Sequence, residues 1–349
     1  RRQAELAKPP GSLGALEDMS IRLAGIRRTP RPRIDRCRVT VLAADNGVVA
    51  EGVSCAPQSV TVQQAVNMTR HKTGMSALAA YFGDQVQVVD VGICVPVSCP
   101  QVLDRKIRFS TGDIAVEPAM TEQQALDALA VGLDLARQAK EEGIDAVGVG
   151  EMGIGNTTTS AAVLLAIAPR DAASLVGYGS ARGNFRLLLH KRDLIRRALA
   201  SYGPHISGAA DALRYVGGFD LAALASAMCT CARERIPFYI DGFITAAALA
   251  AAVQMMPQVS WFALPSHMSR EAGMSVALHA AGIDDYDVPL WANLSLREGT
   301  GAVLAVTLLR SMLYAVNHMA TLDGINADAE QRHADTAGKG DMHHGTTRR

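Results

Sequence analysis

IDAVGVGEMGIGNTTTSAAVLLAIA (144–168) carries the grammar of the whole chain in one stretch. AVGVG is a short β-rich run with apolar residues on both faces, the pattern of a strand buried in a parallel sheet. Glycines 150, 153 and 155 make a turn, and a small, apolar segment suited to a buried helix follows. Similar runs recur at VTVLAADNG (39–47), VQVVDVG (86–92), ASLVGYGS (173–180), IPFYIDG (236–242) and VSWFALPS (259–266). Helical stretches lie between them, such as TEQQALDALAVGLDLARQAKEEG (121–143), acidic early, basic late and stopped by glycine. Strands alternating with helices predict right-handed βαβ units and an open α/β sheet. Apolar helices over 12–26 and 302–322 fall outside the alternation and are expected to pack together. The predicted division is a large α/β domain over 36–290, a small helical domain from 1–35 and 291–322, and a polar tail over 323–349.

Bulk properties narrow the function. The chain has 349 residues, 49% apolar, which is ample for a core. Its formal net charge is zero and only 5% of residues are aromatic. Neither nucleic acid nor an anionic membrane is an expected partner. The opening RRQAELAKPPGSLG lacks the apolar region of a secretory leader, and no uninterrupted apolar run reaches the ~20 residues that span a bilayer. The expectation is a soluble, cytoplasmic protein. Cysteines 37, 55, 94, 99, 229 and 231 show no paired CxxC spacing, and the nine histidines show no HxxxH or HExxH. Reduced thiols and no metal are expected.

In open α/β sheets, ligands bind beyond the carboxyl ends of the strands. Asp45, Asp90, Glu151, Tyr178, Asp241 and Ser266 all fall at predicted strand ends. They read either as ordinary turn residues or as polar groups converging on one crevice. GEMGIGNTTTSAA (150–162) could bind phosphate through free N–H groups at a helix start and the hydroxyls of Thr157, Thr158 and Thr159. It is not a P-loop, because no lysine follows the glycines, and GxxGxG is not the dinucleotide fingerprint. A capped strand-to-helix turn explains it equally well. A second glycine turn, VGYGSARGN (176–184), precedes Lys191, which could supply the missing positive charge or lie free on the surface. In SLREGTGAVLAVTLL (295–309), Glu298 enters a helix either as a partner of its dipole or as a positioned base.

Together, KPPGSLGALE (8–17), DNGVVAEGVS (45–54), GEMGIGNTTTSAA (150–162), VGGFDLAALA (216–225), RIPFYIDGFITAAA (235–248) and LREGTGA (296–302) resemble the nicotinate-nucleotide–dimethylbenzimidazole phosphoribosyltransferases, in family order over about residues 8–320. The resemblance implies a Rossmann-like, mostly parallel sheet flanked by helices, with a small helical domain from both chain ends, in a dimer without metal or redox cofactor. It implies transfer of the phosphoribosyl group of nicotinate mononucleotide to a ring nitrogen of a benzimidazole, the lower-ligand base of a cobamide. The products would be an α-riboside 5′-phosphate and nicotinate. Glu298 matches the catalytic glutamate, and Glu151 would lie near the ribose and leaving base. Gly153, Gly155, Asn156, Thr157, Thr158, Gly177, Gly179, Ser180, Lys191, Asp241 and Ser269 are the expected nucleotide-binding residues. Ser54, Gln63 and Leu296 are the expected acceptor-binding residues.

Several positions depart from the family pattern. Ser295 and Arg297 replace the usual arginine and glycine before the base, and the segment from Pro289 to Glu298 is one residue short. Met274 stands where histidine is common, and DNG (45–47) replaces a frequent DHG. An arginine approaching Glu298 would lower its pKa and suit a phenolic acceptor such as phenol or p-cresol. The alternatives to transfer onto a benzimidazole are therefore a phenolic acceptor, used by one chain of a heterodimer of homologues, and a non-catalytic partner subunit. A dinucleotide-dependent oxidoreductase would need a GxGxxG turn that is absent.

Overall fold

The computed structural model describes residues 2–168, 172–179, 183–326 and 328. Strands β1 (Cys37–Ala44), β2 (Gln85–Gly92), β3 (Val102–Asp104), β4 (Ala146–Met152), β5 (Phe238–Tyr239) and β6 (Ala263–Leu264) form one sheet in the order β3-β2-β1-β4-β5-β6. Every pairing is parallel. This is the order of doubly wound nucleotide-binding sheets. From β1 the chain builds toward one edge, and from β4 toward the other. The loops after these two central strands therefore part and leave a crevice between them.

Among the described residues, the helices of nine or more residues are α1 (Ala15–Arg27), α2 (Ser59–Thr69), α3 (Gly74–Phe82), α4 (Glu122–Glu141), α5 (Asn156–Ile167), α6 (Phe185–Tyr202), α7 (Phe219–Arg233), α8 (Phe243–Met255) and α9 (Thr300–His318). They cover both faces of the sheet, so all eight residues of β1 are buried. Successive side chains of a strand point to opposite faces. Leu42 and Ala44 accordingly join the core beneath α4, α5, α7 and α8, while Val39, Val41 and Ala43 pack with α2, α3 and Val303 of α9. On that second side, Met19 and Leu23 of α1 meet Ala305, Val306, Leu309 and Leu313 of α9. The two terminal segments meet close beside them: the Ala7 amide donates to the Ala320 carbonyl at 2.9 Å, and Leu6 bridges to Thr321. Of the 323–349 segment, 323–326 continue a short helical turn and most of the remainder lies outside the described residues.

One expectation needs correction. ASLVGYGS is not a strand: Ala172–Leu175 form a helical turn and 176–178 are irregular. Its glycines serve backbone contacts described below. The strand that takes its place in the sheet is β3, three residues at the edge, too short to show a period. In addition, α9 has the length and mean hydropathy, 1.3, of a bilayer span, although half of that window is buried inside the protein. Arg310 in its middle pairs with buried Asp84 at 2.7 Å.

Candidate active site

The crevice between β1 and β4 holds a buried carboxylate. Glu151, near the end of β4, is only 3% exposed. The Asn156 side-chain amide donates to it and also to Asp220, at 3.0 Å for the latter. Asn156 can bridge the two because it opens α5, after Gly155 caps the helix with a left-handed φ of 97°. Burial dominates the electrostatics of this trio. It raises Glu151 to a pKa of about 8, against the opposing Arg297 charge and the Asn156 bond, and raises Asp220 to about 6. The same turn buries the hydroxyls of Thr158 and Ser160 without protein partners.

Glu298 is placed from the opposite side by an unusual backbone. Arg297, Glu298 and Gly299 have φ of 70°, 68° and 96° in succession. For non-glycine residues this region costs roughly 1–2 kcal/mol each, so something must hold the turn. Asp241, just beyond β5 and 1% exposed, does so: its carboxylate accepts from the Gly299 amide at 3.0 Å and the Gly301 amide at 2.6 Å. A buried anion at the start of α9 also satisfies the helix dipole. The turn then lies directly on β4. A Cβ on Gly150 would come within 2.6 Å of the Glu298 carbonyl oxygen, so only glycine fits there. The Glu298 side chain is 4% exposed, with Oε1 accepting from the Gln64 amide of α2 at 3.2 Å and Oε2 without a partner. Burial raises its pKa, with the nearby Thr73 and Gln64 side chains working the other way.

The third part of the crevice is cationic. Lys191 of α6 is 1% exposed and donates to the Thr157 hydroxyl at 3.2 Å and the Gly177 carbonyl at 3.3 Å. Burial lowers its pKa to about 8, although the Glu271 carboxylate favours its charge. Arg297 turns to Glu271, 3.1 Å away, and is not among the chief influences on Glu298. The expected lowering of Glu298 by Arg297 is therefore corrected: burial moves that carboxyl upward, and the arginine faces Glu151 and Glu271 instead. Glu151, His267, Ser269, Glu271, Ser295 and Arg297 line a cavity of about 10 Å³.

The structure thus brings Glu151, Asn156, Thr157, Gly177, Gly179, Lys191, Ser269, Arg297 and Glu298 around one crevice, with Asp241 beneath it. Ser180 lies outside the described residues. Gly153 packs its backbone against the Ala44 carbonyl, and Thr158 is buried within α5. Leu296 is half-exposed above Gly74, and the Ser54 hydroxyl donates to the Ala56 carbonyl at 2.9 Å. Gln63 points outward and is exposed, while the adjacent Gln64 reaches Glu298. Successive helical residues are ~100° apart, and the pair QQ does not announce its phase. Asp45 and Asp90 serve the loops: Asp45 accepts from Thr61 and the Cys94 amide, Asp90 from the Gly92 and Ile93 amides. Sequence reasoning missed Asp220 and Glu271: Asp220 lies just after the glycines of VGGFDLAALA, inside a helix, and Glu271 lies in a loop outside the strand ends where ligand groups are expected. Among the described residues no group of three or more His, Cys, Asp or Glu side chains could hold a metal ion.

A nucleotide-type sheet with buried acids and a buried lysine at its switch point defines a class, and residues 1–326 match the family model described as a phosphoribosyltransferase. The chain belongs to the nicotinate-nucleotide–dimethylbenzimidazole phosphoribosyltransferase family. It is 39% identical over 325 residues to the protein of that name from Acetivibrio thermocellus, covering 93% of this chain and 91% of that one. It is 40% identical over 324 residues to that from Chloroflexus aggregans, covering 92% and 90%. The crystal structure of CobT from Thermus thermophilus superposes with a TM-score of 0.87 at 38% identity, covering 93% of this chain and 96% of that one.

Proposed function

We propose that this chain transfers the phosphoribosyl group of nicotinate mononucleotide to a ring nitrogen of dimethylbenzimidazole, releasing nicotinate. The observation that carries the reading is Glu298, a buried carboxylate with one unpartnered oxygen, fixed in the crevice by a left-handed turn that Asp241 ties down. An azole nitrogen attacks the anomeric carbon from the face opposite nicotinate. The C–N bond to the pyridinium breaks and its electron pair returns to the ring, so the leaving group needs no proton. Glu298 takes the N–H proton of the acceptor. The anomeric centre inverts, giving an α-riboside 5′-phosphate. A pKa raised by burial makes Glu298 a stronger base, which suits an azole and leaves a phenolic acceptor without a supporting observation.

The donor's phosphate falls to Lys191, the Thr157 hydroxyl and the glycine turn at 177–179, with Glu151 toward the ribose. Ser54 and Leu296 belong on the acceptor side. The site works in a cytoplasmic homodimer, with the two terminal segments acting as one small unit against the large domain. Purified protein should release nicotinate only when dimethylbenzimidazole is present, followed by mass spectrometry. Glu298→Gln should slow that release ~10²–10⁴-fold. Release that ignores the acceptor, or survives the substitution, overturns the reading. Light scattering should give a mass near twice the 36.9 kDa of one chain.

A further inference from the structure

The Glu271 carboxylate stands among groups that ordinarily hold a phosphate. Its Oε1 is 3.1 Å from the Arg297 guanidinium, and its Oε2 accepts from the Gly179 amide at 3.4 Å. A Cβ on Gly177 would lie 2.3 Å from the same Oε2, so the bare glycine is what allows the approach. Lys191, bonded to the Gly177 carbonyl, feels Glu271 as its chief favourable charge. One carboxylate therefore meets a backbone N–H and a guanidinium within the field of a buried ammonium, the same three donor types that grip phosphate oxygens. The space left beside them, about 10 Å³, is far below the few hundred that a small ligand occupies. Arg297 adds a second observation. It holds a left-handed φ of 70° that suits glycine, and its guanidinium has no described partner other than Glu271.

We propose that Arg297 is a phosphate-binding residue for the donor nucleotide, and that Glu271 is a resident anion which occupies its place until the nucleotide's phosphate displaces it. The inference rests on the transferase reading for the identity of the donor. The exchange is one anion for another: Arg297 and the Gly179 amide pass from the carboxylate to phosphate oxygens, and no bond is made or broken. A phosphate entering the crevice is met by a cation already held in place by a carboxylate, Arg297, and by a buried one, Lys191, so little reorganisation is needed. Anions smaller or less charged than phosphate compete poorly with a tethered carboxylate, which makes Glu271 a filter as well as a placeholder.

The test titrates inorganic phosphate into the full-length protein by calorimetry, and separately measures the KM for nicotinate mononucleotide. Glu271→Gln keeps the shape and an acceptor for the Gly179 amide but removes the charge. It should bind phosphate about 10-fold more tightly and lower the KM in parallel. Arg297→Gly, which relieves the left-handed strain, should bind phosphate about 10-fold more weakly and raise the KM, with partial recovery in Arg297→Lys. Thermal melts of the variants exclude unfolding. Unchanged or weaker phosphate binding in Glu271→Gln, or unchanged binding in Arg297→Gly, overturns the proposal. If phosphate binding shifts as described while no nicotinate is released by any form, the transferase reading fails and the anion exchange stands.

Discussion

Glu151 and Glu298 are both carboxylates in dry surroundings, but the chain supports them differently. Glu151 has a dedicated donor in Asn156 and a pKa raised by burial to about 8, so it is chiefly protonated at neutral pH. Glu298 has the Gln64 amide on Oε1 and the Thr73 side chain nearby, and its Oε2 makes no hydrogen bond in the structure, which leaves that oxygen open to a proton. The raised value at Glu151 has a stability consequence with a definite sign. Its contribution is fully present below the unfolded value of 4.5 and is lost as pH climbs through the folded value of about 8, because the unfolded chain releases the proton first. The unfolding free energy of the wild-type protein, measured in urea, should therefore fall by a few kcal/mol across that window. In Glu151→Gln, which copies the protonated form, the fall between about pH 6 and 8 should shrink most, since Asp220, raised to about 6, contributes to the fall below that; an identical slope in the two proteins would refute the assignment. The positions of these side chains are partly legible in the sequence. Glycine turns and family resemblance single out Glu151, Glu298 and Lys191, but they point Arg297 toward Glu298. Side-chain direction in three consecutive left-handed residues is not encoded in any local period, so only the folded turn reveals that the arginine faces Glu271.

At the scale of elements, the joint between β5 and α9 matters most. One aspartate beyond a two-residue strand accepts two amides at the start of a nineteen-residue helix. Asp241→Asn leaves a single acceptor oxygen for both amides and turns an NH₂ group toward one of them. It should cost about 1–3 kcal/mol in urea denaturation. It should also reduce transfer activity, since Glu298 stands immediately before the tethered turn. Loss of activity without loss of stability would mean that Asp241 touches substrate rather than holding the helix. The sheet itself is readable because its strands are largely covered on both faces: short, mostly apolar runs mark β1, β2, β4, β5 and β6. The reading fails at VGYGS, where apolar residues beside glycine imitate a strand although the glycines serve approach by Glu271, and at β3, whose three residues carry no pattern. Helix ends marked by capping are legible too. Thr121 and Gln124 form a capping box at the start of α4, in keeping with the acidic, polar opening of that segment.

Across the whole molecule, the crevice is closed by contacts very distant in sequence. Gln64 and Glu298 are separated by 234 positions, and the segment carrying Glu298 is anchored by α9 against α1 and the sheet. The strand order, with two halves built outward from β1 and β4, is not legible from the runs alone, since six buried strands can be ordered in many ways; the family resemblance narrows it. The distant contact has a meaning for how the protein comes into being. During synthesis the sheet can assemble strand by strand, yet Glu298, the base we propose, emerges only after β6, and the glutamine that receives it has by then long been in place. A polypeptide interrupted before Arg297 would carry Thr157, Lys191 and the turn at 177–179, but neither the proposed base nor the second cation proposed for the phosphate. Refolding from urea should show the same order, with far-UV dichroism recovering before nicotinate release. Competence arrives in a single late step, so an unfinished copy is idle rather than wasteful.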